Sequence, residues 1–393
     1  MKYLAVQYLE GGTGAAELSP DAVRDRLRAA LERVQISFLL IGWNLPDKLI
    51  DTCAQECSRA GIDLYLWQPL LTGDNPLPPP IEWQTIGLDG EPVAGFRRLP
   101  EFTFLCPNRP PVRDSVLAHL ENLLGDGRYQ GVFLDRIRMP SPSANPSSML
   151  ACFCDSCHLA AEQRGLDLVE VQEHITDLLR SVEGAKTCIR MLLDPFAAED
   201  QLVALFLDFR QYSISEIVQQ AAQLAHDRGL SVGLDCFSPA LTRMVGQDLA
   251  ALDGHSDWIK IMSYGHVMAP AGLSYELLGL ADWVVERHGI SMSEALSFIS
   301  AASGLPLTDD REGLIERGLS SEALALEAQR ARQLGVITIL AGMELVDLEG
   351  IARLNDQQIR RDYLAFEQAG VDGLVLSWDL WHIPLERLQL VCQ

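Results

Sequence analysis

Strand-like apolar runs and amphipathic helical runs alternate along this chain, and that alternation limits its fold more than any other feature of the sequence. Runs rich in β-branched and aromatic residues occur at 3–9, 36–43, 63–70, 131–140, 231–237, 257–264, 336–344 and 371–379. Helical patterns are expected at 20–34, 46–60, 112–124, 201–228, 321–333 and 357–368, with a short one from Pro384. Ser19 before Pro20 is a helix-start signal, and Gly61 and Gly229 are stops. Repeated strand-helix units make a parallel sheet, because parallel neighbours need a long crossover between them. Eight such strands, each followed by a helix, are the number that closes a (β/α)8 TIM barrel. The competing arrangement, an open doubly wound sheet, ordinarily carries a glycine-rich nucleotide turn after its first strand. Gly11-Gly12-Thr13-Gly14 lacks that spacing.

Three stretches interrupt the rhythm. The first, about 71–111, contains the proline-rich Asn75-Pro-Leu-Pro-Pro-Pro80 and a possible hairpin around Leu88-Asp-Gly-Glu91. The second, about 141–200, reads as a small cysteine-rich subdomain, and the third, about 265–320, is mostly helical. Long loops in a compact domain are usually functional. A single barrel spanning 1–393 with three loop insertions is therefore expected, and 48% hydrophobic content suffices for its core.

The stretch Gly131-Val-Phe-Leu-Asp-Arg-Ile-Arg-Met-Pro140 begins as a buried strand and ends in charge, with Asp135, Arg136 and Arg138 where a core strand would stay apolar. Barrel enzymes place their chemistry at that end of a strand. The other strand ends carry Gln7, Trp43 with Asn44, Trp67 with Gln68, Asp235, Lys260 with Tyr264, Glu344, and Trp378 with Asp379 and Trp381. Carboxylates and aromatic rings facing one cavity suit a carbohydrate, whose ring faces stack on Trp and Tyr and whose hydroxyls bond to carboxylates. Glycoside cleavage needs two carboxyl groups flanking an oxocarbenium-like centre. Asp135 and Glu344 are the expected pair, with Asp235 positioning substrate or replacing one of them. Arg136, Arg138, Lys260, Tyr264, Trp378, Asp379 and Trp43 are expected substrate contacts, and Lys260 could hold a carboxylate ionised. Without Gly-x-Ser-x-Gly a serine triad has little support, and His266, just past the sixth strand, is the one histidine placed to reach substrate. No tight Asp-x-Asp or His-x-His pair points to a catalytic metal, although the same oxygens could hold a divalent cation.

The formal charge, 31 − 54 = −23, opposes binding to nucleic acid or to anionic membrane surfaces. No apolar run reaches the length of a membrane span, and the N-terminus lacks the pattern of an export signal. Nine cysteines in such a chain read as reduced thiols or metal ligands in the cytoplasm. Cys152, Cys154 and Cys157 form Cys-x-Cys-x2-Cys, dense enough for three thiolates to share one zinc ion. His158, Cys188 and Cys106 are the candidates for the fourth ligand.

Cys106-Pro-Asn-Arg-Pro110 together with Cys152-Phe-Cys-Asp-Ser-Cys157 resembles the zinc cluster of the family 42 β-galactosidases, which are barrel glycosidases. The resemblance implies a structural zinc on Cys106, Cys152, Cys154 and Cys157, and a nucleophile at Glu344. That family's acid/base lies in an Asn-Glu pair after strand four, where this chain has Asp135-Arg-Ile-Arg138, so its galactosidase activity does not carry over. Phe133-Leu-Asp-Arg-Ile-Arg-Met-Pro140, Gly233-Leu-Asp-Cys-Phe237, Asp257-Trp-Ile-Lys-Ile-Met-Ser-Tyr264 and Ser377-Trp-Asp-Leu-Trp381 are similar to the strand-end motifs of glycoside-hydrolase-like barrels. Those motifs imply Asp after strand four, Asp after strand five and Met-x-Tyr on strand six. The expected function is glycoside hydrolysis, and its rival is a carbohydrate-binding barrel that has lost the chemistry.

Overall fold

The computed structural model describes residues 1–11, 14–73, 78–308, 310–352 and 354–391. Gly12, Thr13 and residues 75–77 of the proline-rich run thus lie outside the described residues. Eight parallel strands form a closed barrel in sequence order: β1 (Tyr3–Tyr8), β2 (Phe38–Ile41), β3 (Asp63–Pro69), β4 (Gly131–Asp135), β5 (Ser231–Phe237), β6 (Trp258–Met262), β7 (Ile339–Glu344) and β8 (Gly373–Ser377). Closure is made by β1 pairing with β8, Ala5 opposite Val375. This excludes the open sheet.

Side chains alternate along each strand. One set packs outward under the helices. The other fills the barrel with Ala5, Leu40, Tyr65, Phe133, Trp258, Leu340 and Val375. The Trp258 ring stacks on Phe133 at 5.2 Å between centroids and occupies the space beside Gly233, where a Cβ would lie 2.1 Å from the ring. Glycine at 233 is what lets the indole cross the barrel. Truncating Phe133 to Ala would cost about 3–5 kcal/mol through the cavity left behind.

Helix starts follow local rules. Ser19 and Ser320 accept hydrogen bonds from Ala22 N–H and Ala323 N–H, and Asn355 with Gln358 forms a capping box. The chain departs from the expected pattern after β5, where two short helices, Pro239–Thr242 and Leu249–Asp253, replace a full crossover helix. Pro239, and Gly246 at φ 75°, break what would otherwise be a continuous run. After β8 the chain forms a 3-10 helix, Leu385–Val391. Several strands also end earlier than the apolar runs suggest. Arg136 turns left-handed at φ 52°, so Arg136 and Arg138 belong to the loop after β4, and Tyr264, Trp378 and Asp379 likewise follow their strands. Val336 closes the preceding helix through its N–H to Ala331, which delays β7 to Ile339.

The expected hairpin is present, with Gly87 N–H bonded to the Glu91 carbonyl at 2.8 Å. The second interruption holds helices Pro146–Met149, Asp155–Glu162, Leu168–Leu178 and Val182–Leu193, and the third holds Leu273–His288, Met292–Ser303 and Arg311–Arg317. No helix among the described residues is long and apolar enough to cross a membrane.

Candidate functional site

A cavity of about 370 Å³ opens at the C-terminal end of the barrel, within the range of small-ligand sites. Asp135, Asp235 and Lys260 sit on consecutive strands at one level: Asp235 pairs in register with Lys260, and Asp135 follows the Leu134–Leu234 pair. All three line the cavity, as do Arg136, Arg138, Tyr264, Trp378 and Asp379.

Each oxygen of Asp135 accepts one N–H, from the Trp67 indole at 3.0 Å and from the Arg136 backbone at 2.5 Å, which fixes the carboxylate's orientation. Asp235 is 3% exposed. Its Oδ2 accepts from Lys260 Nζ at 3.0 Å, while its Oδ1 is buried with no hydrogen-bond partner among the described residues. Burial pushes Asp235 up to about 7, against the pull of the Lys260 ammonium and with help from the nearby Asp135 charge. Burial works against the Lys260 charge too, but Asp235 and then Tyr264 outweigh it and hold the ammonium above its ordinary value. Lys260 also donates to Gln7 Oε1 at 3.1 Å; Ser377 Oγ donates to the same oxygen at 2.6 Å, and Tyr264 donates to Ser377 at 2.8 Å. Burial pushes the Tyr264 phenol up to about 12. Gly342 makes room for this network: a Cβ there would lie 2.9 Å from Lys260 Cε and 3.1 Å from the Tyr264 ring.

Three expected site residues are placed differently. Glu344 ends β7 at the same mouth but is not among the residues lining the cavity; its carboxylate accepts the His266 backbone N–H at 2.8 Å. Burial pushes Glu344 up to about 7. The turn after β6 reaches over the carboxylate and claims it, which strand parity alone cannot reveal. His266 is itself committed, with Nε2 3.0 Å from Asp362 and Nδ1 3.0 Å from the Arg317 carbonyl, and it does not face the cavity. Trp43 lies behind the wall, edge-on to Trp67 at 5.3 Å and beneath the Arg136 guanidinium. Asp379 lines the cavity, but its oxygens accept backbone N–H groups of Leu9, Glu10 and Trp381, so it ties β1 to the loop after β8.

Sequence reasoning missed Glu10, Arg97, Glu101 and His382, which also line the cavity. Glu10 lies two residues past the end of β1, a signal that was there to be used. Arg97 and Glu101 come from the first interruption, whose length marked it as functional without indicating which residues turn inward.

Cys106, Cys152, Cys154 and Cys157 are buried, and their sulfurs all lie within 4.8 Å of one another. Cys106 stands 3.4 Å from Cys157 and 3.5 Å from Cys154. Tetrahedral coordination at about 2.3 Å per sulfur requires sulfurs roughly 3.8 Å apart, so four thiolates closing on one ion fit this spacing. Asn108 Nδ2 and Ile86 N–H point at Cys157 and Cys152 from 3.4 and 3.3 Å, supplying the donors that thiolate ligands receive. The cluster could hold a metal ion, and it joins the first interruption to the second, where Phe153 N–H also bonds to the Ile86 carbonyl at 2.9 Å.

No protein-family model and no curated protein matches the sequence. Solved structures similar to the fold include glycoside hydrolases. The PgaB (BpsB) glycoside hydrolase domain from Bordetella bronchiseptica superposes with a TM-score of 0.55 at 13% identity, covering 100% of this chain and 98% of that one. The β-amylase catalytic domain from Paenibacillus polymyxa gives 0.51 at 12% identity over 96% of this chain and 92% of that one. An α-L-fucosidase from Paenibacillus thiaminolyticus gives 0.53 at 11%, with this chain spanning 48% of its length. At these identities the likeness establishes the architecture: this chain folds as the barrel on which those glycoside hydrolases are built.

Proposed function

We propose that this protein is a glycoside hydrolase in which Asp235 is the general acid and Asp135 the partner carboxylate. The observation that carries this reading is the juxtaposition at the barrel mouth of a buried carboxyl, one of whose oxygens has no partner among the described residues, and a second carboxyl fixed by two donors. A carboxyl whose proton is retained near neutrality can protonate a leaving glycosidic oxygen, while its neighbour supports the oxocarbenium-like centre. Lys260 keeps Asp235 from rising further, and Tyr264 and Trp378 offer surfaces for the sugar ring. Glu344, buried against His266, is left outside the chemistry. The same reading gives the four cysteines a structural zinc ion that staples two active-face loops together.

The experiment is a screen of chromogenic glycosides and short oligosaccharides on the wild-type protein, followed by Asp135→Asn and Asp235→Asn on any substrate cleaved. Each substitution should reduce kcat by about 10²–10⁴-fold with the thermal transition nearly unchanged. Full activity in either variant removes that residue from the mechanism. Sugar binding without cleavage across the panel would favour a carbohydrate-binding barrel.

A further inference from the structure

Arg138 is 5% exposed, and its guanidinium is clamped between Phe104 and Phe237, 4.4 and 4.5 Å from their ring centroids. A guanidinium presents five N–H donors in a fixed fork. Nη1 reaches the carbonyl of Met139 at 3.1 Å, while Nε and Nη2 meet no acceptor, and no carboxylate lies within salt-bridge distance among the described residues. Burial lowers the pKa of the guanidinium to about 10, against the pull of the nearby Glu276 and Asp135 carboxylates. Arg136, 6% exposed, repeats the pattern beside it. Its Nη1 donates to Thr72 Oγ1 at 3.2 Å and to the Glu101 carbonyl at 2.6 Å, and its Nε and Nη2 likewise have no acceptor among the described residues. Both residues line the cavity that holds Asp135 and Asp235. The hydrogen bonds of Arg136 account for a share of its placement; those of Arg138 do not.

We infer that Arg138 and Arg136 form an oxyanion subsite, and that the substrate carries a carboxylate or a sulfate ester on the sugar at or next to the scissile bond. The inference rests on the glycoside hydrolase reading for the bond cleaved, but not for the binding. A planar fork pairs bidentately with such oxyanions, and a rigid, aromatic-clamped fork loses little freedom in doing so. Lys260 does not share the task, being committed to Asp235 and Gln7. The net charge of −23 repels a polyanion at long range, so the site suits a short acidic oligosaccharide whose single anion is gripped locally.

The test is titration calorimetry with glucuronate, galacturonate and mannuronate, their neutral parent sugars, and the 6-sulfates of those parents. At least one acidic sugar should bind about tenfold or more tightly than its neutral parent. Arg138→Gln should erase that preference, and Arg138→Lys, which keeps charge but not the fork, should not restore it. A uronate preference or a 6-sulfate preference identifies which oxyanion is read. If Arg138→Gln does not fold, Arg136→Gln and Arg138→Lys carry the comparison. No preference for any acidic sugar, including no binding at all, overturns the inference, as does a preference that survives in the variants. Turnover is scored separately with the matching aryl glycosides. Acidic sugars bound but not cleaved would overturn the hydrolase reading and leave the subsite standing; cleavage confined to neutral glycosides would do the reverse.

Discussion

Lys260 Nζ lies 3.0 Å from Oδ2 of Asp235 across neighbouring strands, and the other oxygen of that carboxyl meets no donor among the described residues. The pair is therefore lopsided: one side holds charge, and the other is free to hold a proton.

The first consequence is a pH dependence. A general acid works while protonated, so kcat/KM should fall as pH rises through about 7, the value to which burial lifts Asp235. Stability moves the same way. Asp235 binds its proton more tightly folded than unfolded, so its contribution is complete below the ordinary carboxylate range near 4 and is lost as pH rises to about 7. Glu344, also lifted to about 7, adds to that slope. Melting temperatures measured from pH 4 to 8 should decline across this window, with a shallower decline in Asp235→Asn; an unchanged slope in the variant would show that Asp235 is already ionised there.

Removing the ammonium should move the activity profile. Without Lys260 the charge that opposes protonation of Asp235 is gone, so in Lys260→Met the alkaline limb of kcat/KM should shift upward by about 1 pH unit or more. A limb that stays put or moves down would mean that a different group sets it.

The barrel and the Asp135, Asp235 and Lys260 cluster were legible because they follow from periodicity: β5 spans Ser231–Phe237 as the apolar run implies, and strand parity sends Asp235 inward. Glu344 was not legible, because its last bond is made by the His266 backbone, two residues beyond the Tyr264 that the sequence had flagged. The position of Trp43 behind the wall was hidden for a related reason. Its ring is claimed by Trp67 and Arg136, partners from two other strand ends that no local pattern connects. Phe96, Arg97, Leu99, Glu101 and Phe102 line the cavity, and Phe96 packs edge-on against Tyr275 of the third interruption at 5.9 Å, a partner that no local pattern announces.

Glu344 should therefore tolerate substitution. Glu344→Gln keeps an acceptor for the His266 N–H and resembles the protonated acid, so turnover should stay within about tenfold of wild type, far from the loss expected at Asp135 or Asp235. Inactivity in a variant that melts normally would return Glu344 to the mechanism.

The strand geometry bears on stereochemistry. Parallel neighbours lie about 4.8 Å apart, and Asp135 and Asp235 project from adjacent strands at one level, which matches the ~5–5.5 Å carboxyl spacing of retaining enzymes better than the ~6.5–9.5 Å of inverting ones. The first product released should keep the anomeric configuration of the substrate, as followed by NMR during early turnover; the opposite anomer would require a water between the two carboxyls.

The cysteine cluster links stability to the site. Cys106 belongs to the excursion that also supplies Phe96, Arg97 and Glu101 to the cavity, and Cys152, Cys154 and Cys157 belong to the loop after β4. An ion held by all four would anchor that wall, so purified, reduced protein should contain about one zinc per chain. Cys154→Ser, or a strong chelator, should lower the melting temperature by several degrees, as expected for a loss of a few kcal/mol. KM should rise more than kcat falls, because the wall is loosened while Asp135 and Asp235 remain on their strands. Protein purified under reducing conditions without bound metal, or a Cys154→Ser variant with unchanged melting and KM, would leave the four sulfurs as a packed core cluster with no ion to hold.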